Sequence, residues 1–528
     1  MPRNTNIAFW SLCFCLLTLT SVFLSAKCRG VRSCRVPGQK DLKGFGAAAR
    51  MSKARNLLLA SLLLCLHYSP LSGATGPGFV VRITDKGLDY ARQEGVAALQ
   101  QKLAQLTLPD FSGSFRVKVI GRVDYKLYSL NVRSFQLPSS AIAPVPGMGL
   151  KVSITNAFAE VTGDWSVKKR WFKDHGSFDL KVEGISISVG LKLGADAAGR
   201  PTVGTAGCAA HISDVKVHFS GRLSWLYNLF DKNIESSFRN AMEGKVCEEV
   251  SSSIGSKLQP FLQTLPVTAR IDKVSGIDYS LVAPPVASQN SLDLDLKGEF
   301  FSLAHRSPPP FTPPALAFPV DHDHMLYFGI STYFFNTAGL VYYGAGEMNF
   351  FITDDMVPKE FKVRLNTTCF KPFVPQLEKL YPNMLMKLQV SPSSAPSLTI
   401  TPDAISLSPA VDIRAFAILP NASLASLFVI GASTTISAKV SVNSTKIFGS
   451  LKLGKLQLSL KHSDVGPFSV QLMQAIMNYL ASSTLLPAMN ARLAEGFPLP
   501  LPDHVELSSA FLQLRQDFLL FGADARYG

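Results

Sequence analysis

The sequence predicts an α+β protein built as two successive rolls, each a long twisted antiparallel sheet wrapped on amphipathic helices. Three observations carry this. Leu180, Val182, Ile185, Ile187, Val189, Leu191 and Leu193 alternate with Lys, Glu, Ser or Gly, the period of a half-buried strand. From about Ser224 to Leu262, apolar residues such as Phe238, Met242, Val246 and Val250 recur at helical spacing. The same order of elements returns beyond a proline-rich stretch near the middle of the chain.

Size and composition fit this reading. The chain has 528 residues, 47 % hydrophobic and 17 % charged, which excludes a disordered or fibrous protein. It is too long for one core, so two domains of roughly 200 residues are expected. The formal charge of +14 is unevenly spread. Residues 1–74 hold ten basic residues and one acidic, residues 75–264 hold 23 and 17, and residues 265–528 hold 19 and 20.

Two apolar runs open the chain. Met51, Lys53 and Arg55, the run Leu57–Leu66 and the small-x-small Ser72-Gly73-Ala74 give residues 51–74 the regions of a signal peptide. Residues 1–50 then read as an upstream extension absent from the working protein. The alternative is that Ile7–Ala26, twenty residues without a charge, is the true signal or an anchor. Beyond residue 74 a secreted chain of 454 residues is expected. Five of eight cysteines fall in the leader, leaving Cys208, Cys247 and Cys369. In an oxidising compartment the expected pair is Cys208–Cys247, tying a strand region to a helix, with Cys369 a buried free thiol or an intermolecular link. Three scattered thiols do not make a zinc site. Sequons at Asn366, Asn421 and Asn443 fit export.

Further elements follow in order. A short strand Val80–Thr84 leads into a helix over Asp85–Leu106, with Leu88, Ala91, Leu99, Leu103 and Leu106 on one face and Pro109 ending it. Thr84 or Asp85 caps this helix, a simpler role for them than acid/base chemistry with Arg82. In the alternating tract a phase slip at Gly184 marks a bulge. Ser307–Pro319, with six prolines, reads as a stiff extended connector. Domain limits are set at 75–301 for the first barrel, 302–320 for the linker and 321–528 for the second barrel. In the second, a helix is expected near Thr332–Tyr343, strands at Leu398–Thr401, Val411–Arg414, Ile436–Val442 and Leu451–Leu460, and a late helix around Val470–Leu493. A sheet curled around a helix leaves an elongated apolar interior that a small mismatch in filling turns into a lipid-sized cavity. Simple packing of both interiors is the plainer alternative.

Enzyme signatures are missing: no G-x-S-x-G elbow, P-loop, dinucleotide fingerprint or HExxH occurs, and no catalytic residue is assigned. Asp321-His322-Asp323-His324 is the one dense group of metal-ligand types, but consecutive extended residues face opposite ways, so a solvated turn is expected there and no metal. The basic segment Trp165-Ser166-Val167-Lys168-Lys169-Arg170-Trp171-Phe172-Lys173 falls where a hairpin tip would lie. Its cations suit phosphate oxygens, and Trp165 and Trp171, taken as exposed, suit the acyl–headgroup boundary. Arg116, Lys118 and Arg122 belong to a second strand–turn region beside it. Nucleic acid is a poorer partner, because the stripe is short and the second half slightly acidic.

These residues have a family resemblance. Pro77-Gly78-Phe79-Val80-Val81-Arg82-Ile83-Thr84, then Leu88, Glu94, Leu99, Gln100 and Pro109, resembles the amino-terminal signature of the lipid transfer and lipopolysaccharide-binding protein family. Stretches such as Phe135–Ser140, Gln263–Val267, Tyr333–Val341 and the tail Phe518–Asp524 extend the likeness over essentially all of 75–528. The resemblance implies an elongated boomerang of two barrels joined by a central β-sheet, with no cofactor but one bound phospholipid per barrel. It implies a secreted innate-immune monomer, stored in neutrophil granules, that binds the lipid A part of lipopolysaccharide on the Gram-negative outer membrane and disrupts it. A carrier of lipopolysaccharide or phospholipid without killing activity is the alternative, and an esterase the rival from another class. The family disulfide falls on Cys208 and Cys247, and the lipid-binding cations on Lys168, Lys169, Arg170 and Lys173, with Arg116, Lys118 and Arg122. Two departures imply weaker binding than is usual there: the first helix ends with one cation, Lys102, and Asp164 puts an acid in the tip.

Overall fold

A computed structural model describes residues 76–117, 121–219, 232–320, 322–357, 364–443, 445–498 and 505–527. The leader, Lys118 and Asp321 lie outside the described residues, as does the start of the second helix.

The first half runs β1 (Phe79–Thr84), α1 (Asp85–Leu103), β2 (Phe111–Val117), β3 (Gly121–Gln136), β4 (Ser139–Val145), β5 (Gly149–Lys169), β6 (Phe172–Ala195) and β7 (Pro201–Phe219). Next come α2 (Lys232–Ser253), a π turn at Ile254–Leu258 and α3 (Gln259–Thr264). Thr84 is the cap of α1, its hydroxyl accepting from the Gly87 N–H at 3.4 Å. Arg82 takes no part in capping; it forms a two-pronged pair with Asp293, both contacts 2.7 Å. Strands β2-β3-β5-β6-β7 form one antiparallel sheet, with β4 also on β5. The bulge stands where the phase slips: Gly184 has φ 62°, and Ala157 and Ala159 pair with Ile185 and Val182. The sheet wraps α2, whose Phe238, Met242, Val246 and Val250 are buried in the core of this barrel. Cys208 of β7 and Cys247 of α2 are bonded, closing a separation of 39 residues.

Short strands follow: β8 (Thr268–Arg270), β9 (Ser275–Asp278), β10 (Val286–Ala287), β11 (Ser291–Leu296), β12 (Glu299–Ser302) and β13 (Leu326–Ser331). The second half continues with α4 (Thr332–Gly344), β14 (Phe350–Thr353), α5 (Thr367–Phe370), α6 (Gln376–Leu380), β15 (Met386–Pro392), β16 (Leu398–Ile400), β17 (Ile405–Leu407), β18 (Ala410–Ile418) and β19 (Leu424–Ser433). It closes with β20 (Ile436–Val442), β21 (Lys446–Leu453), β22 (Gln457–Ser463), α7 (Gln471–Leu480), a π turn at Ala481–Leu485, α8 (Leu486–Ala494), β23 (Phe497–Pro498), β24 (Val505–Arg515) and β25 (Phe518–Tyr527). The single strand expected over Leu451–Leu460 is two, because the chain turns at Gly454, whose N–H donates to the Thr435 carbonyl at 2.7 Å. The second barrel is two five-stranded sheets, β14-β15-β18-β19-β22 and β16-β17-β20-β21-β23. Both halves repeat one device, a long helix interrupted by a π turn and a proline, Pro260 in one and Pro487 in the other.

Between the barrels lies a six-stranded sheet, β10-β11-β1-β13-β25-β24, in which β1 sits between β11 and β13. The proline-rich connector is fastened to it. The Phe318 ring stacks on Phe518 with centroids 6.0 Å apart, and the Arg82 guanidinium lies 5.0 Å from the Phe318 ring while donating to the Pro319 carbonyl. Gly329 makes room for this contact, since a Cβ there would lie 2.4 Å from the Phe318 ring. The segment after the connector is no solvated turn. His324 packs against Tyr327 and Phe511, and the Nδ1 atoms of His322 and His324 are enclosed with no hydrogen-bond partner among the described residues. Among the described residues no group of three metal-ligand side chains assembles, and no helix is long and apolar enough to cross a membrane. Cys369, expected as a buried free thiol or an intermolecular link, is a free thiol in this chain and only half-buried.

Candidate lipid-binding site

Two hairpins end side by side at the far end of the first sheet. Strands β5 and β6 are joined by Arg170 and Trp171 alone, with Lys169 opposite Phe172 and Lys168 opposite Lys173. In the neighbouring hairpin Arg116 stands opposite Arg122 and Val117 opposite Gly121. The two hairpins are in register through Asp124 and Lys168. Opposed residues, and residues two apart on one strand, point to the same face. Arg116, Arg122, Asp124, Lys168 and Lys173 therefore share the outer face, where all five are exposed. Lys169 reaches across from the other side, its Nζ 3.2 Å from where a Cβ on Gly121 would be. The structure thus brings together two regions about fifty residues apart in sequence, as their pattern suggested.

The cations at the tip outnumber the one acid on their face, Asp124, which stands opposite Lys168. Among the described residues, Arg116, Arg122, Lys168, Lys169, Arg170 and Lys173 form no ion pair with a carboxylate. Further down the barrel the opposite holds. Lys126 pairs with Asp110 at 2.8 Å, and Glu183 is gripped by Lys181 and Lys216, which hold its carboxyl down at about 2. Asp164 is not in the tip as expected: it stands six positions before Arg170, opposite Tyr128 and Ser177.

Trp165 is corrected. It is 3 % exposed and belongs to the core of the first barrel. The strand keeps its alternation to the last residue, so Val161, Trp165 and Val167 all point inward and position 165 is not part of the turn. Trp171 is the aromatic at the surface, 71 % exposed, with the Lys169 Nζ 5.8 Å from its ring centroid. Its neighbour Phe172, 6.2 Å away, packs on the core and anchors the turn. An ordered pair of cation and indole with free cations around it can meet phosphate oxygens and the first methylenes beneath them at once.

A second cation that sequence reading missed stands at the end of α1. Lys257, from the π turn, lies against Lys102, and that ammonium above all holds Lys257 below its ordinary value, burial adding to the effect and Glu249 opposing it. The two residues are 155 positions apart, so no local pattern announces the pair. Of the sequons, Asn421 and Asn443 are exposed in turns where the Asn Oδ1 accepts from the hydroxyls of Ser423 (2.7 Å) and Thr445 (3.2 Å). Asn366 is half-buried and caps α5, its Oδ1 accepting from the Cys369 N–H.

Comparison with known proteins covers both halves. Residues 87–265 match the LBP / BPI / CETP family, N-terminal domain, and residues 269–527 match the C-terminal domain of the same family. The chain is 48 % identical to the lipopolysaccharide-binding protein of Homo sapiens over 474 residues, 90 % of this chain and 98 % of that protein. It is 40 % identical to the bactericidal permeability-increasing protein of Rattus norvegicus over 463 residues, 88 % and 96 % of the two chains. A crystal structure of lipopolysaccharide binding protein is similar with a TM-score of 0.57 and 46 % identity, covering 86 % of this chain and 99 % of the other.

Proposed function

Because this chain belongs to the LBP / BPI / CETP family through both of its halves, we propose that it is a secreted innate-immune protein that binds lipopolysaccharide through lipid A, using the tip of its first barrel. The observation that carries the reading is the cationic tip: six cations that form no ion pair among the described residues, around an exposed Trp171. Each cation close to an anionic surface contributes about 1 kcal/mol. Arg116 and Arg122, side by side on one strand pair, suit a forked contact to a phosphate, and Lys168, Lys169, Arg170 and Lys173 supply point charges along its rim. The cations displace divalent ions that bridge lipid A phosphates, Trp171 enters the acyl–headgroup boundary, and the outer membrane loses its order.

Each barrel holds one phospholipid in its apolar interior, and the protein acts as a monomer. Its sequons Asn421 and Asn443 carry glycans. The names of the relatives support two versions of the same binding, killing and carriage. Neutralising and delivering endotoxin both begin with the tip on lipid A, so a bactericidal assay run beside a transfer assay between particles separates them. The test of the common step is a salt titration of binding to lipid A vesicles. Affinity falls steeply between 20 and 500 mM salt, by about tenfold or more, if phosphate contacts drive it. A flat response sinks the reading.

A further inference from the structure

The outer face of the tip is not evenly positive. Across the strands, one row reads Ser114 on β2, Asp124 on β3, Lys168 on β5 and Lys173 on β6. Arg122, two residues from Asp124, leans into this row, its Nε donating to the Ser114 Oγ at 2.8 Å. A guanidinium therefore stands on one side of Asp124 and two ammonium groups on the other. Asp124 itself is exposed and forms no ion pair among the described residues. Lys126, the next cation along β3, is turned to Asp110 at 2.8 Å and to the Tyr128 ring.

Spacing gives this pattern a meaning. Neighbouring strands lie about 4.8 Å apart, so the guanidinium beside Ser114 and the Lys168–Lys173 pair are centred about 12 Å apart, with a carboxylate between them. Such a row suits a ligand with two phosphates held apart by an uncharged, hydroxyl-bearing spacer. Each cationic arm meets one phosphate, and the Asp124 carboxylate accepts from hydroxyls in between. A disaccharide phosphorylated at both ends, the head of lipid A, has this form. A layer of anionic phospholipid does not. Its phosphates come with every headgroup, and one that falls on Asp124 is repelled.

We propose that Asp124 is a specificity-determining residue of the tip, favouring a phosphate–sugar–phosphate ligand over a closely spaced layer of anionic phospholipid heads. The inference rests on the reading of the tip as the lipid A site and adds what that site rejects. Cations alone attract every anionic surface. A fixed acid among them makes the attraction depend on where the charges of the ligand stand.

The experiment measures binding of the full chain, at one salt concentration, to phosphatidylcholine vesicles carrying bisphosphorylated lipid A or phosphatidylglycerol at equal total charge. Asp124→Asn keeps the shape of the side chain and removes its charge. It is expected to strengthen binding to phosphatidylglycerol about fivefold, the effect of one charge near an anionic surface, and binding to lipid A by less than about twofold. A second variant, Asp124→Asn with Ser166→Asp, restores the net charge one row away, opposite Lys126, and is expected to leave the preference for lipid A reduced. Equal shifts for both ligands, or none, overturn the proposal. Recovery of the preference with Ser166→Asp overturns it too, because net charge and not position then sets it. Lys168→Gln, Lys169→Gln, Arg170→Gln and Lys173→Gln together report on the underlying reading. If that variant binds lipid A as the unsubstituted chain does, the tip is not the lipid A site and the inference falls with it. If it loses lipid A while Asp124→Asn moves both ligands alike, the site stands and the selectivity alone is refuted.

Discussion

The two barrels share a plan and differ in reach. In the first, β5 and β6 are 21 and 24 residues long and run to a two-residue turn that Phe172 fastens to the core. In the second, the corresponding kind of sheet is made of strands of 4 to 10 residues and ends near its core. Length decides electrostatics here. Long strands carry their outward cations away from Asp110 and Glu183 of the barrel wall, and the cations at their end form no ion pair among the described residues. Cations close to the wall acquire partners, as Lys181 and Lys216 do with Glu183 and Lys461 does with Asp412. The barrels also close differently. The first ties helix to strand covalently through Cys208 and Cys247. The second uses helix amides that each grip both backbone groups of one residue, in β21 or in the turn that follows it. Asn490 holds Leu451 at 2.7 and 3.1 Å, and Asn478 holds Leu456 at 2.8 and 3.0 Å.

The contrast can be broken in a graded way. The largest effect on stability is expected from Trp165→Ala, which empties a core site and costs about 3–5 kcal/mol, while Trp171→Ala leaves the melting temperature almost unchanged and weakens lipid binding instead. Equal destabilisation by both substitutions, measured by urea titration, contradicts the assignment of inner and outer tryptophan. Removing the covalent tie with Cys208→Ala and Cys247→Ala is expected to cost about 2–4 kcal/mol and to lower the unfolding temperature of the first barrel. If calorimetry shows the second barrel melting earlier instead, the two do not close independently. Asn490→Ala strands a buried N–H and carbonyl of Leu451, a loss of about 1–3 kcal/mol felt in the second barrel. Hydrogen exchange at Leu451 reports it directly.

The smallest effect concerns the paired wall. Glu183 is depressed to about 2, so its contribution is present above the ordinary carboxylate value and vanishes as pH falls through about 2. Lying at the surface between two mobile lysines, it affects stability little. An NMR titration is expected to find that low midpoint, and to find it near the ordinary carboxylate value in a Lys181→Ala, Lys216→Ala variant. An unchanged midpoint there removes the distinction between compensated wall and bare tip.

How much of this was legible in the sequence follows from the range of the interactions. The start of helix α1, its cap at Thr84, one of two candidates, and the Gly184 bulge rest on residues within a few positions of one another and stand where the pattern put them, although the helix ends at Leu103, short of the expected Leu106. Tip and neighbouring hairpin were legible because alternation continues through both. The direction of Trp165 was legible too, had its parity with Val161 and Val167 been weighed above its closeness to the basic run. By contrast, nothing local pairs Lys102 with Lys257 or sets β1 between β11 and β13. The seat of the connector is an intermediate case. Prolines announced an extended chain, but Leu316 and Phe318 among them were the sign that it packs.

That seat changes what the molecule's division into halves means. With β1 enclosed by β11 and β13, and the connector clasped between Arg82 and Phe518, the strands of one half are filling for the sheet of the other. A single protease nick in the proline segment would give two bands on a denaturing gel and one species on a sizing column. The first barrel expressed without its companion would carry the raw side of β1 into solvent, an adhesive edge that invites self-association.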